Sequence, residues 1–200
     1  MNFLKIKLLV IALIMFAASS AFASYSFNVD VNTSALIGQT GYIDLQMNPD
    51  NTSNIATATT SNFASDVTFV GAPAYMGNAS GQLSDNTLTI STAGTAQSND
   101  YFHQATFGNA LHFQLNLDGL PSNTFALSFY KDDGLGGYTS IFSTDSVSGA
   151  AAMIDLTANG AVVNVTSSET TVSPTPIPAA AWLLGSGLMG LAGIRRRNQK

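Results

Sequence analysis

From Ala110 to Gly119 the chain reads Ala-Leu-His-Phe-Gln-Leu-Asn-Leu-Asp-Gly, with apolar and polar residues alternating without a break. In an extended chain Leu111, Phe113, Leu115 and Leu117 fall on one side, and His112, Gln114, Asn116 and Asp118 on the other. Successive side chains of a strand point to opposite faces, whereas a helix would scatter these leucines around its axis. The stretch therefore buries an apolar face only as a strand, and Asp118-Gly119 ends it. One strand leaves its backbone groups unpaired, so the rest of the chain must supply neighbours.

It does so repeatedly. Phe125-Ala126-Leu127-Ser128-Phe129-Tyr130 repeats the alternation, and Asp132-Asp133-Gly134-Leu135-Gly136-Gly137 turns the chain toward a strand over 138–142. Strands over 154–157 and 162–165 flank Asn159-Gly160, a dipeptide suited to the positive φ angles of a tight hairpin. Weaker strands are expected over 25–31, 41–47, 66–70 and 87–90. No stretch from 24 to 173 combines an apolar face at helical spacing with capping residues, and no internal repeat is visible. The expected fold is all-β, an antiparallel β-sandwich or jelly roll spanning 24–166. Residues 167–178 lose apolar periodicity and turn to Ser, Thr and Pro, which reads as a stalk.

The ends carry an address. Lys5 and Lys7 precede an apolar run, and Ala21-Phe22-Ala23 follows as an A-x-A site. Residues 1–23 read as a secretory signal peptide, cut between Ala23 and Ser24. At the far end, 177–194 are 18 residues without a charge. As a helix they rise about 27 Å, the lower edge of what crosses a bilayer core of about 30 Å. Gly185, Gly187, Gly190 and Gly193 weaken that helix, and Arg195, Arg196 and Arg197 stop it. Basic residues stay cytoplasmic, so the preceding domain faces outward, in agreement with the signal peptide. The expected order is a signal peptide (1–23), an ectodomain (24–166), a stalk with a sorting motif (167–178), a membrane helix (179–194) and a basic tail (195–200).

The tail Pro176-Ile177-Pro178-Ala179-Ala180-Ala181-Trp182-Leu183-Leu184-Gly185, running through Ile194 into three arginines, resembles the PEP-CTERM sorting tail. It is closest to the variant with Pro-Leu-Pro-Ala before Ala-Ala-Trp-Leu, and has Pro176-Ile177-Pro178 where the naming motif has Pro-Glu-Pro. The resemblance implies a Gram-negative exported protein associated with extracellular polysaccharide. It also implies recognition by exosortase, a membrane-embedded cysteine protease or transpeptidase. Tyr25-Ser26-Phe27-Asn28-Val29-Asp30, the run Gly41 to Pro49, Asn99-Asp100-Tyr101-Phe102 and Thr106-Phe107-Gly108-Asn109 resemble an uncharacterised group of such proteins, from which no activity carries over.

Composition narrows the function classes. All twelve acidic residues fall within 24–173 against Lys131 alone, so the ectodomain carries −11 where the whole chain carries −5. Such a surface repels nucleic acid and anionic membranes. With no cysteine there is neither a disulfide staple nor thiol chemistry. The two histidines, His103 and His112, form no metal-ligand cluster, and His112 falls on the polar side of its strand. No G-x-S-x-G elbow is present, and Glu169, the sole glutamate, lies in the expected stalk. The run 132–137 lacks the ligand spacing of an EF-hand and reads as a hairpin turn, with calcium as the rival reading. Tyr42, Tyr75, Tyr101, Tyr130 and Tyr138 are the rings that sugar binding would use. No residue is assigned to catalysis, a cofactor or a metal. The expected function is an exported, non-enzymatic surface or matrix protein whose partners are exosortase and extracellular polysaccharide. The alternatives are a carbohydrate-binding module and a plain single-pass anchored protein.

Overall fold

A computed structural model describes residues 23–50 and 53–175. Two antiparallel sheets share one core, in a β-sandwich-like all-β fold with a single 3-10 turn at Ser34–Leu36.

One sheet runs in the order β14 (Thr170–Pro174), β1 (Ala23–Asn32), β9 (Ala110–Gly119), β3 (Ala56–Ser65), β7 (Thr89–Ser91), β6 (Asn78–Ser80). The other runs β13 (Gly160–Val165), β12 (Ala150–Thr157), β10 (Asn123–Asp132), β2 (Thr40–Pro49), β8 (Asp100–Thr106), β4 (Thr68–Phe69). Off this path, β11 (Tyr138–Ile141) pairs with β10, and β5 (Ala74–Met76) pairs with β8.

β9 buries Leu111, Phe113, Leu115 and Leu117 as its alternation requires, against Phe27, Val29 and Val31 of β1 and Ala56 and Ala58 of β3. The facing sheet contributes Ile43, Leu45, Met47, Phe125, Leu127, Phe129 and Ile154. Each fully buried Leu or Phe contributes about 1.5–3 kcal/mol of hydrophobic free energy. Gly41 has to be glycine, because a Cβ there would meet the Phe107 ring and the Tyr130 carbonyl oxygen, each at 2.5 Å.

The structure differs from the sequence expectations in three places. Residues 170–174 are not stalk: β14 lies antiparallel to β1, Val29 opposite Val172, with Val172 packed against the core. Thr175 N–H then bonds the Ser26 carbonyl at 2.8 Å, so residues through 175 are tied to the sheet. An edge strand pairs on one side only, and this one adds buried Thr170 and the packed Val172 to its pairing with β1. Second, the β12–β13 loop is Ala158-Asn159, because Thr157 pairs with Gly160 at the start of β13, with Gly160 at φ 125. Third, β3, β5, β6, β8 and β14 were not expected as strands.

Candidate functional site

On β2 the odd-numbered residues point into the core, which directs Tyr42, Asp44, Gln46 and Asn48 to the outer face of the eight-stranded sheet. The register of the flanking strands decides what surrounds them. Gln104 and Tyr130 flank Tyr42, Phe102 and Ser128 flank Asp44, and Asp100 and Ala126 flank Gln46. Tyr138 of β11 joins from beside Asp132.

Four rings meet there. Tyr42 stacks on Phe102 with centroids 4.8 Å apart and planes 13° from parallel. Tyr138 sets its edge against both, at 4.9 Å from Tyr42 and 5.1 Å from Phe102. Tyr130 lies 6.2 Å from Phe102. Tyr138 is 54% exposed, so the cluster opens to solvent. Burial raises the Tyr42 phenol above its ordinary pKa, with the neighbouring Tyr138 adding to the effect.

A polar row continues the site along β2. Asn99 N–H donates to Asn48 Oδ1 at 3.0 Å, Asn48 Nδ2 to Gln46 Oε1 at 2.9 Å, and Gln46 Nε2 to Asp44 Oδ2 at 2.6 Å. The donors all run toward the carboxylate, whose other oxygen, Oδ1, is buried without a hydrogen-bond partner. Burial pushes the Asp44 carboxyl up to about 7, Gln46 partly offsetting this and Asp100 adding to it. Burial also raises Asp100.

This combination of groups suits a polyhydroxylated ligand. Ring faces pack against the C–H faces of sugars, while amides and carboxylates bond hydroxyls.

The structure thus brings together Tyr42, Tyr130 and Tyr138 but not the other two candidate tyrosines. Tyr101 is a core residue; its hydroxyl bonds His103 Nδ1 at 2.7 Å, and burial raises it. Tyr75, on β5, donates to the Gly81 carbonyl at 2.6 Å. Phe102 was the ring that the tyrosine count missed, and its place beside outward Gln104 on β8 was the available signal.

His103 is buried, its Nε2 3.1 Å from the Gly71 carbonyl, which can only accept; Nδ1 is then the acceptor for Tyr101. His112 donates from Nδ1 to Asp30 at 2.7 Å on the polar face of β9. The run 132–137 closes the β10–β11 hairpin. Asp133 Oδ1 accepts the N–H groups of Leu135 and Gly137, which lowers its pKa below the usual carboxylate range. Among the described residues no three His, Cys, Asp or Glu side chains cluster as a metal site.

A cleft of about 370 Å³ opens where β3 begins and β9 ends, lined by Ser53, Ile55, Thr57, Asp118 and Leu120 among others. Asp118 is the one carboxylate among the described residues on its wall.

Of the signal-cleavage residues, Ala21 lies outside the described residues, while Ala23 and exposed Ser24 open β1. Pro176, Ile177, Pro178, Ala179, Arg195, Arg196 and Arg197 also lie outside them. Among the described residues no helix is long and apolar enough to cross a membrane. Compared with known proteins, the chain matches no family model, no curated protein and no solved structure.

Proposed function

We propose that this chain is an exported, non-enzymatic protein of the extracellular matrix that binds polysaccharide on the outer face of its eight-stranded sheet. In this reading a signal peptide ending at Ala23 delivers it. A PEP-CTERM-like tail holds it at the inner membrane until an exosortase processes it, and it then resides at the cell surface or in the matrix. The observation that carries the binding function is the ring cluster Tyr42, Phe102, Tyr130 and Tyr138 beside the row Asp44, Gln46 and Asn48. Saccharides need flat apolar faces next to hydrogen-bonding groups, and both occur here on one rigid sheet. The −11 charge of the ectodomain directs the choice toward neutral or cationic glycans, since anionic polymers are repelled.

The test is a glycan array, followed by titration of the best ligand against the double variant Tyr42→Ala/Tyr138→Ala. Each lost ring removes about 1 kcal/mol, so affinity should fall about tenfold or more. Absence of saturable binding to any glycan would sink the reading and leave a purely structural matrix protein. Binding that ignores both substitutions would move the site elsewhere.

A further inference from the structure

The outermost strands of the two sheets are not alike. β14 ends in Pro174, β11 has four residues, β5 and β6 have three each and β4 has two. Short length and proline are the usual means of keeping an edge from pairing with another chain. β13 has neither. It spans six residues, Gly-Ala-Val-Val-Asn-Val, with no charge, no proline and no register shift against β12.

Its backbone polarity follows from the hairpin. A two-residue loop closes on a pair that exchanges hydrogen bonds, here Thr157 and Gly160. Thr166 N–H bonds the Ala151 carbonyl at 3.0 Å, which extends the same alternation past the end of the strand. Gly160, Val162 and Asn164 therefore address β12, while the N–H and C=O groups of Ala161, Val163 and Val165 point away from the sheet. Among the described residues, β12 is the only strand that pairs with β13. Val162 is 49% exposed and Val165 41%, an apolar lining to an unpaired backbone.

We infer that β13 is a self-association edge, on which a second copy of this chain adds its own β13 in antiparallel register about Val163. Backbone groups of this kind accept an extended strand, and three observations select this one. First, the strand is self-complementary. With Val163 opposite Val163 of the second copy, Ala161 meets Val165, and every outward backbone group finds a partner. Second, side chains match by face. Ala161, Val163 and Val165 continue the core face, and Val162 meets Asn164, so no charge faces a charge. Third, the pairing suits an acidic domain. The carboxylate beside the middle of the strand, Asp155, lies one strand inside the edge, opposite Val162, with Thr124 donating to it at 2.6 Å. It sits about three strand spacings, roughly 14 Å, from its counterpart, beyond the screening length of about 8 Å in physiological salt. The joined copies form one continuous sheet. Their outer faces share a side, because residues opposite one another in an antiparallel pair point the same way.

The absence of cysteine makes the register directly testable in the full-length chain. Val162 and Asn164 of opposing copies form a non-hydrogen-bonded pair, with Cα atoms about 4.5 Å apart, within disulfide reach. The double variant Val162→Cys/Asn164→Cys should oxidise to a covalent dimer, while either single variant stays at the collisional level set by Val147→Cys on an exposed loop. Val163→Cys alone should also cross-link, since it faces its own copy at about 5.5 Å. Adding Val165→Lys to the double-cysteine variant should cut dimer yield at least severalfold. Cross-linking of the double and Val163 variants no greater than that of Val147→Cys would overturn the inference. So would a covalent adduct with another polypeptide. Neither result depends on glycan binding.

Discussion

Asp44 is the residue at which packing and ionisation conflict most directly. It sits on an outer face yet is 4% exposed, with Oδ1 unpartnered and Asp100 near enough to disfavour a second charge. Its folded pKa, about 7, lies above the ordinary value of 3.8. The folded state therefore holds this proton more tightly than the unfolded chain does. Its contribution to stability is fully present below about pH 4 and is lost as pH rises toward about 7. Asp44→Asn removes that loss. The variant should match the parent near pH 4 and exceed it above pH 7 by about 2–4 kcal/mol, the scale of a three-unit shift. Urea titrations at both pH values check this; an advantage independent of pH would show that the effect is one of packing. Asp66 runs the other way. The N–H groups of Ala110 and Asn109 hold its carboxyl down to about 2, so what it contributes persists until the solution is strongly acidic.

Among the elements, β14 is seated by two inward side chains, buried Thr170 and Val172, of which Val172 alone is apolar. Val172 packs against the core between Thr171 and Ser173, opposite Val29 of β1. Val172→Asp should cost about 2 kcal/mol of burial and expose the segment from Ser167 onward to protease, while β9 and β10 stay protected. Limited proteolysis with mass mapping reads this; cleavage no faster than in the parent chain would show that backbone pairing alone holds the strand. The same element shows what a sequence makes legible. β9 could be read because its inward positions are Leu and Phe, and β10 for similar reasons. β3 was hidden because Ala56, Ala58 and Thr60 bury inward positions with side chains too small or too polar to make a pattern. In β8 the alternation is masked by chemistry, since a histidine faces inward and a phenylalanine outward. The ring cluster was half visible. Tyrosines can be counted, but which of them share a face depends on the pairing of β2 with both β8 and β10, which no local pattern encodes.

At the scale of the whole molecule, the sheet reaches the residue that precedes the proline motif. Thr175 is still bonded to Ser26, and the motif at Pro176 follows at once. If the tail is a sorting signal, intact-mass measurement of protein recovered from the matrix should show a chain that ends before Arg195. Arginines retained in most molecules would identify a plain anchor instead. Replacing Arg195, Arg196 and Arg197 with neutral residues should release unprocessed protein, because nothing then stops the segment at the cytoplasmic face.

The β14–β1 register also decides how the domain bears load. Tension entering at Thr175 meets an outermost strand at its last described residue. When the pull acts across the sheet, it strains first the bond to Ser26, then the contacts opposite Phe27, Asn28 and Val29 in turn. Bonds strained in sequence yield at a far smaller force than bonds strained together. The attachment therefore unzips rather than shears, and gives up length before the remaining strands are disturbed. A protein held in a flowing, swelling gel would have in this strand a mechanical fuse that rewinds when the pull relaxes.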